Sequence, residues 1–276
     1  MRIAWFSCGV TSAVATKLAL DLYNDIEIYY IGIKSAHSDN ARFTKECEAW
    51  FGQEVKTIIN KAGYKDQYEV IEKTGYINGP FGARCTLELK KNARYELQNE
   101  VDYKNQIFGF EFSTKEINRA IRFKQQHPIT KPLFPLIDAK LNKEECHGLM
   151  LKTGIEPPTM YKLGYSNNNC IGCVKEKKGY WNKIREDFPK HFDRMAKLER
   201  KLGSTCIKED IDIPILNKKG QEVKSKKVYL DELTPGEGIS NPIVPDCGMF
   251  CQLDFEDLMD ANTAKIMSGE LNMKNI

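Results

Sequence analysis

The stretch "FSCGVTSAVATKLAL", Phe6–Leu20, follows the short apolar run "MRIAW" and decides how the first half of the chain folds. An apolar run of that length predicts a buried strand, and the alanine-rich stretch after it has helical apolar spacing. Ser7, Gly9, Thr11 and Ser12 crowd the turn between them. Such a turn points backbone N–H groups and the positive end of the helix dipole at one spot, which makes an anion site. Ser7, Thr11 and Ser12 add hydroxyl donors. A plain strand-to-helix connection stays open as the other reading. Neither the mononucleotide Gly-Lys-Ser/Thr ending nor the dinucleotide Gly-x-Gly-x-x-Gly pattern is present.

Strand and helix signals alternate onward from this turn. "IEIYYIGI" (Ile26–Ile33) predicts a second strand, and "SDNARFTKECEAWFG" a helix capped at Ser38 or Asp39 and closed by Gly52. "VKTIIN" predicts a third strand and "DQYEVIEKTG" a short helix closed by Gly75. "CTLELKKNARYELQNEV" has the pattern of one continuous helix, and "QIFGF" (Gln106–Phe110) of a fourth strand. The order predicts an α/β fold with a mostly parallel, doubly wound sheet, whose ligands bind beyond the carboxyl ends of the strands. "KPLFPL" then reads as a Pro-punctuated loop before a helix over Asn142–Lys152. Beyond it lie a Pro-Pro and Asn-rich loop with a cysteine pair and an amphipathic stretch broken near Pro189. The division expected is an α/β domain over 1–150 and a smaller, cysteine-bearing helical and loop region over 151–276.

Bulk properties narrow the classes. The 276 residues carry a formal net charge of +3 with 29% charged residues, a balance that identifies no partner. No window is long or apolar enough to span a bilayer, and the N-terminus lacks signal-peptide architecture, so the expected location is cytoplasmic with no membrane partner. Basic residues cluster in "KEKKGYWNKIR" (Lys175–Arg185) and "NKKGQEVKSKK" (Asn217–Lys227), either as solvated faces or as nucleic-acid contacts.

Nine cysteines in such a chain favour metal binding or sulfur chemistry over disulfides. Cys170-x-x-Cys173 and Cys247-x-x-x-Cys251, both in turns rich in Gly, Asn or Pro, have the spacing of thiolate ligands for zinc or an iron–sulfur cluster. Buried structural thiols are the alternative. Cys85 falls at an expected helix start between Arg84 and Lys90, an environment that lowers a thiol pKa and makes it a candidate catalytic group. Lys115, Arg119 and Arg122 lie on one helix face after the fourth strand, placed for a phosphate, a sulfate or solvent. Cys47, Cys146 and Cys206 read as small core residues, and His37 and His147 as surface or core.

"SCGVTS" resembles the pyrophosphatase loop of the N-type ATP pyrophosphatases and phosphoadenylylsulfate reductases. "HSDNARF", "RCTLELKK", "GFEFSTKEINRAIRF", "PLFPL" and "PPTMYKLGYSNNNCIGC" follow in that family's order, through about residue 185. The resemblance implies an adenine nucleotide alpha hydrolase-like fold. It implies that Ser7, Cys8, Gly9, Val10, Thr11 and Ser12 hold the phosphates of ATP with Mg2+, and that adenine lies near Ile31–Lys34, against Ile33. Cys8 stands where the family has glycine. Arg119 and Arg122 are implied as anion binders, with Lys90 and Cys85 in the segment that carries two adjacent cluster-binding cysteines in adenylylsulfate reductases. The implied function is an ATP-dependent sulfurtransferase that adenylylates a nucleic acid, by tRNA thiolation or DNA phosphorothioation, with a cysteine desulfurase as possible donor. The alternatives are a phosphoadenylylsulfate or adenylylsulfate reductase with Cys247 as nucleophile, since "DCGMF" faintly resembles that family's Glu-Cys-Gly-x-His, or a non-catalytic nucleotide-binding module.

Overall fold

The computed structural model describes residues 1–79, 82–216, 220 and 222–239. Five parallel strands, β1 (Arg2–Trp5), β2 (Ile26–Ile31), β3 (Val55–Ile58), β4 (Gln106–Ile107) and β5 (Pro132–Leu133), form one sheet in the order β3-β2-β1-β4-β5. The order turns back between β1 and β4. That reversal opens a crevice at the carboxyl ends of those two strands, as in Rossmann-like folds.

Each strand sends alternate side chains to opposite faces. Ala4, Phe6, Ile28 and Val55 pack under α1 (Val10–Leu22), α2 (Asn40–Phe51) and α7 (Lys143–Lys152). Ile3 and Tyr29 face the other way, onto Leu97 of α4 (Asn92–Glu100). Phe108, Phe110, Phe134 and Ile137 pack on Ala120 of α5 (Thr114–Gln126). Helices therefore cover both faces of the sheet. α2 closes on Gly52 in the left-handed region, as does α3 (Gln67–Thr74) on Gly75, and Asn142 caps α7 by accepting the Glu145 N–H at 2.8 Å.

Two elements differ from expectation. β5 lies within the predicted loop "KPLFPL", its two residues paired with Gln106 and Ile107. The expected single helix from Cys85 begins instead as a π-helical segment, Thr86–Lys91, and becomes α4 after it. Its i→i+5 bonding, continued by the Asn92 N–H to the Leu87 carbonyl, stacks Thr86 against Lys91 along the axis.

The rest of the described chain is α6 (Pro135–Asp138), α8 (Thr159–Lys162), α9 (Lys178–Asp187), α10 (Pro189–Leu202) and the antiparallel hairpin β6 (Ile207–Leu216) and β7 (Glu222–Val228). A second core gathers Met160, Tyr165, Trp181, Ile184, Met195 and Leu230 with Tyr68, Ile71, Ile77 and Ala83 from the first half. The cysteine-bearing region is thus built onto α3 and the segment after it. No helix among the described residues is long and apolar enough to cross a membrane.

Candidate functional site

A cavity of about 800 Å³ opens at the carboxyl ends of β1, β2 and β4. The β1–α1 turn supplies Ser7, Thr11 and Ser12, the end of β2 supplies Ile31 and Ile33, and the segment after β4 supplies Phe108, Gly109, Phe110 and Glu111. Lys90, Lys91, Arg94, Lys115, Arg119, Lys143 and Lys175 line it against Glu111, Glu116 and Glu176, a formal excess of four positive charges. Such a wall draws an anion.

Within the turn, Ser12 is the organising side chain. Its buried hydroxyl accepts the Ser7 N–H at 3.0 Å and the Gly9 N–H at 3.3 Å, and donates to the Gly9 carbonyl at 2.8 Å. The Tyr161 hydroxyl lies over the turn, where a Cβ on Gly9 would meet it at 3.3 Å, so Gly9 shapes the turn. Ser7, whose hydroxyl donates to Ser12 Oγ at 3.0 Å, and Thr11 line the cavity beside the start of α1. Gly109 is required by close approach: a Cβ there would lie 2.7 Å from the Ser12 Cα and 3.0 Å from both the Ser12 nitrogen and the Thr11 carbonyl.

Cys8 adopts φ 57°, the left-handed region that glycine occupies without strain. Its side chain turns into the core, with Sγ 3.1 Å from Thr44 Oγ1, and is absent from the cavity wall. Burial pushes the thiol up to about 12. Cys8 contributes backbone only: its carbonyl accepts Asn168 Nδ2 at 2.6 Å, and the same amide reaches Asn40 Oδ1 at 2.9 Å. The Asn triplet closes the site, since Asn167 Oδ1 accepts Lys143 Nζ at 2.8 Å and Asn169 Nδ2 donates to Glu176 Oε1 at 2.7 Å.

Of the basic face predicted on α5, Lys115 and Arg119 line the cavity and Arg122 does not. At 1.5 Å of rise per residue, Arg122 sits about 10 Å further along the helix than Lys115, away from the strand ends. Arg119 stacks 4.2 Å from the Phe110 ring centre and pairs with Glu116 at 2.9 Å. Glu111 is partly buried among Lys143, Glu116 and Glu144, and burial raises its carboxyl above the ordinary range.

The thiols gather at one edge. Cys170 lines the cavity, and Cys85 and Cys173 lie beside it; burial first, and then the Cys170 thiolate, raise the pKa of both. Lys90 faces all three, and Cys170 above all favours its charged form. Cys85 corrects the expectation of an activated thiol: burial, with Cys173 and Cys170 adding to it, pushes it up to about 11 and outweighs Lys175 and Lys90. Arg84 is engaged by Glu88 at 2.7 Å. The Cys170–Cys173 loop is wound on the Tyr180 hydroxyl, which accepts the N–H groups of Gly172 and Cys173 and donates to the Cys170 carbonyl at 2.9 Å. Among the described residues no group of three or more His, Cys, Asp or Glu side chains is arranged to hold a metal ion. Cys247 and Cys251, the other half of the expected quartet, lie outside the described residues. Cys47, Cys146 and Cys206 are buried, as is His147.

The basic run Lys175–Arg185 is largely engaged. Lys178 pairs with Glu209 and Glu237, Lys183 with Asp187 at 3.2 Å, and Arg185 holds the Leu230 and Leu233 carbonyls at 2.9 and 3.1 Å. Lys175 alone of these four reaches the cavity. Sequence patterns missed Tyr30, Asn40, Lys91, Arg94, Glu111 and Lys143; of these only Arg94 and Lys91 carried a local signal, as cations beside Lys90. No protein-family model matches the chain, and no curated protein matches it.

Proposed function

We propose that the cavity binds an adenine nucleotide and that the protein is an ATP pyrophosphatase-type sulfurtransferase on an adenine nucleotide alpha hydrolase-like fold. The observation that carries this reading is the placement of the Ser7–Ser12 turn and seven cations around one cavity where the sheet order reverses. The hydroxyls of Ser7 and Thr11 and the start of α1 suit the phosphates, and Ile31, Ile33 and Ala36 offer an apolar slot for the base. Lys90 and Arg119 are the groups to stabilise charge on the transferring phosphoryl group, with Glu111 available to Mg2+ or to a proton.

In this scheme an acceptor oxygen attacks the α-phosphorus of ATP, pyrophosphate leaves, and a sulfur nucleophile then displaces AMP. Cys170, at the cavity wall, with Cys85 and Cys173 behind it, supports sulfur as the atom delivered. Among the described residues these thiols are not arranged to hold a metal ion, so no step is routed through a cluster or zinc. A nucleic-acid acceptor would meet Lys175 at the cavity, because Lys178, Lys183 and Arg185 are engaged elsewhere.

The test is pyrophosphate release from ATP, with tRNA and DNA offered in turn. The expected result is release by the wild type and a fall of about 100-fold or more in Lys90→Ala or Arg119→Ala, the scale of losing one transition-state charge contact. No release and no ATP binding under any acceptor overturns the reading. Sulfite release from phosphoadenylylsulfate without ATP replaces it with a reductase.

A further inference from the structure

Arg94 is the least accommodated charge at the cavity. It is 8% exposed, its Nε and Nη2 have no hydrogen-bond partner among the described residues, and it lies among the rings of Tyr95 at 5.1 Å, Phe123 at 5.2 Å and Phe108 at 5.9 Å. The groups that act on its charge are the Tyr95 and Tyr103 phenols, with no carboxylate among them, and burial works against the charged form. A buried cation without a counter-charge is costly, and three aromatic faces offset only part of that cost. The two idle donors are also a matched pair. Nε–H and the adjacent Nη2–H lie on one edge of the guanidinium and point the same way, the fork that takes two oxygens of one oxyanion.

The π-helical segment accounts for the placement of Arg94. Together with the first turn of α4 it turns Thr86, Lys90, Lys91 and Arg94 to the cavity, at offsets of four, five and eight residues. The Phe108 ring beside Arg94 belongs to the same short segment as Gly109, which touches the phosphate-type turn. Arg94 therefore stands on a different element from Ser7 and Thr11 but faces the same space.

We propose that Arg94 forms a second oxyanion subsite of this cavity, taking a phosphate or sulfate group through Nε and Nη2, with Lys91 adding charge. Both nitrogens are covered, so binding swings the guanidinium a short way out from the rings while the α4 backbone stays in place. The proposal rests on the nucleotide reading only for the source of the oxyanion, which is either a second anionic group of the nucleotide or a separate oxyanion co-substrate.

The experiment is calorimetric titration of inorganic phosphate into the full chain, at constant ionic strength made up with chloride, for wild type, Arg94→Gln and Arg94→Lys. The expected result is binding by the wild type, weakened at least tenfold in Arg94→Gln and about threefold in Arg94→Lys, which keeps the charge and loses the fork. Titration with ATP then separates the sources. A tenfold weaker ATP affinity in Arg94→Gln, with phosphate competing against ATP, puts the oxyanion on the nucleotide. Unchanged ATP affinity with both ligands bound together makes it a separate co-substrate. If ATP fails to bind the wild type while phosphate binding depends on Arg94, the subsite stands and the nucleotide reading falls. Phosphate affinity equal in wild type and folded Arg94→Gln overturns the subsite. So does absence of phosphate binding to the wild type or, should Arg94→Gln not fold, a loss below twofold in Arg94→Lys.

Discussion

Replacing Gly109 by alanine tests whether the segment after β4 sets the position of the β1–α1 turn. The added methyl would sit 2.7 Å from the Ser12 Cα and 3.0 Å from the Ser12 nitrogen and the Thr11 carbonyl oxygen. All three are backbone atoms at the start of α1, so no side-chain rotation relieves the contact. An ordinary approach needs at least 3.4 Å, so Ser12 and Phe108–Phe110 must part by roughly 0.7 Å or more. Overpacking of this kind costs about 1–3 kcal/mol. In a chain of this size each kcal/mol lowers the melting temperature by roughly 2–4 °C, which gives a drop of roughly 2–12 °C.

The same displacement carries a functional consequence. Ser12 anchors Ser7 and Gly9 through its hydroxyl, so moving it moves every donor of the turn. Loss of one well-aligned, charge-assisted hydrogen bond to a phosphate is worth about 1.5–3 kcal/mol, or roughly 10- to 100-fold in Kd. Calorimetry of ATP binding and thermal unfolding together decide the matter. Gly154→Ala is the control: its φ of +75° makes alanine strained, but a Cβ there meets nothing within 4 Å. It should lose about 1 kcal/mol of stability and leave ATP affinity intact. If Gly109→Ala unfolds earlier yet binds ATP like the wild type, the turn is not the phosphate site.

Three further outcomes follow from the titrating groups. With Cys85 held near 11, its thiolate at pH 7 is about 100-fold scarcer than that of an ordinary cysteine of pKa 9, so alkylation read by mass spectrometry should be slow and rise tenfold per pH unit; preferential labelling of Cys85 at pH 7 refutes this. Burial lifts the Asp138 carboxyl from 3.8 to about 6, so its contribution is fully present below pH 4 and lost as pH rises through 6. Asp138→Asn should therefore gain thermal stability over the wild type as pH rises from about 4 to 7, by about 3 kcal/mol at most; a difference that stays flat across that range refutes it. Asp39 has the opposite sign. Arg42, at 2.7 Å, and then the Thr159 N–H, at 2.8 Å, hold its carboxyl well below the usual range. Its stabilisation is present above about pH 4 and lost as pH falls through the folded-state value, so Asp39→Asn should flatten the acid side of the melting-temperature profile.

What the sequence made legible is what local chemistry determines. Gly52 and Gly75 closed their helices, Asn142 opened α7, and the apolar runs of β1 and β2, set in an alternation of strands with helices, marked a sheet covered on both sides. β4 was legible from the apolar run Gln106–Phe110, of which Gln106 and Ile107 pair, whereas β5 pairs over only two residues and opens with a proline that reads as a loop. The π-helical segment left no mark because i→i+5 bonding is a choice among hydrogen bonds, made after apolar residues have taken their places.

The site shows the same division more sharply, because sequence gives the sign of neighbouring charges but not their desolvation. Cys85 next to Arg84 and near Lys90 suggested an activated thiol, yet Arg84 is spent on Glu88 and burial among other thiols dominates. Lys178, Lys183 and Arg185 looked like Lys175, and what separates them is a set of acceptors, some of them 45 to 59 residues away. Arg94 makes the converse case. In sequence it is one cation among several on a polar helix; folded, it is closed in by Tyr95, Phe108 and Phe123 with two donors idle. A cation costs least where water reaches it. One kept beneath three rings at the edge of a basic cavity is best explained by an anion that comes and goes.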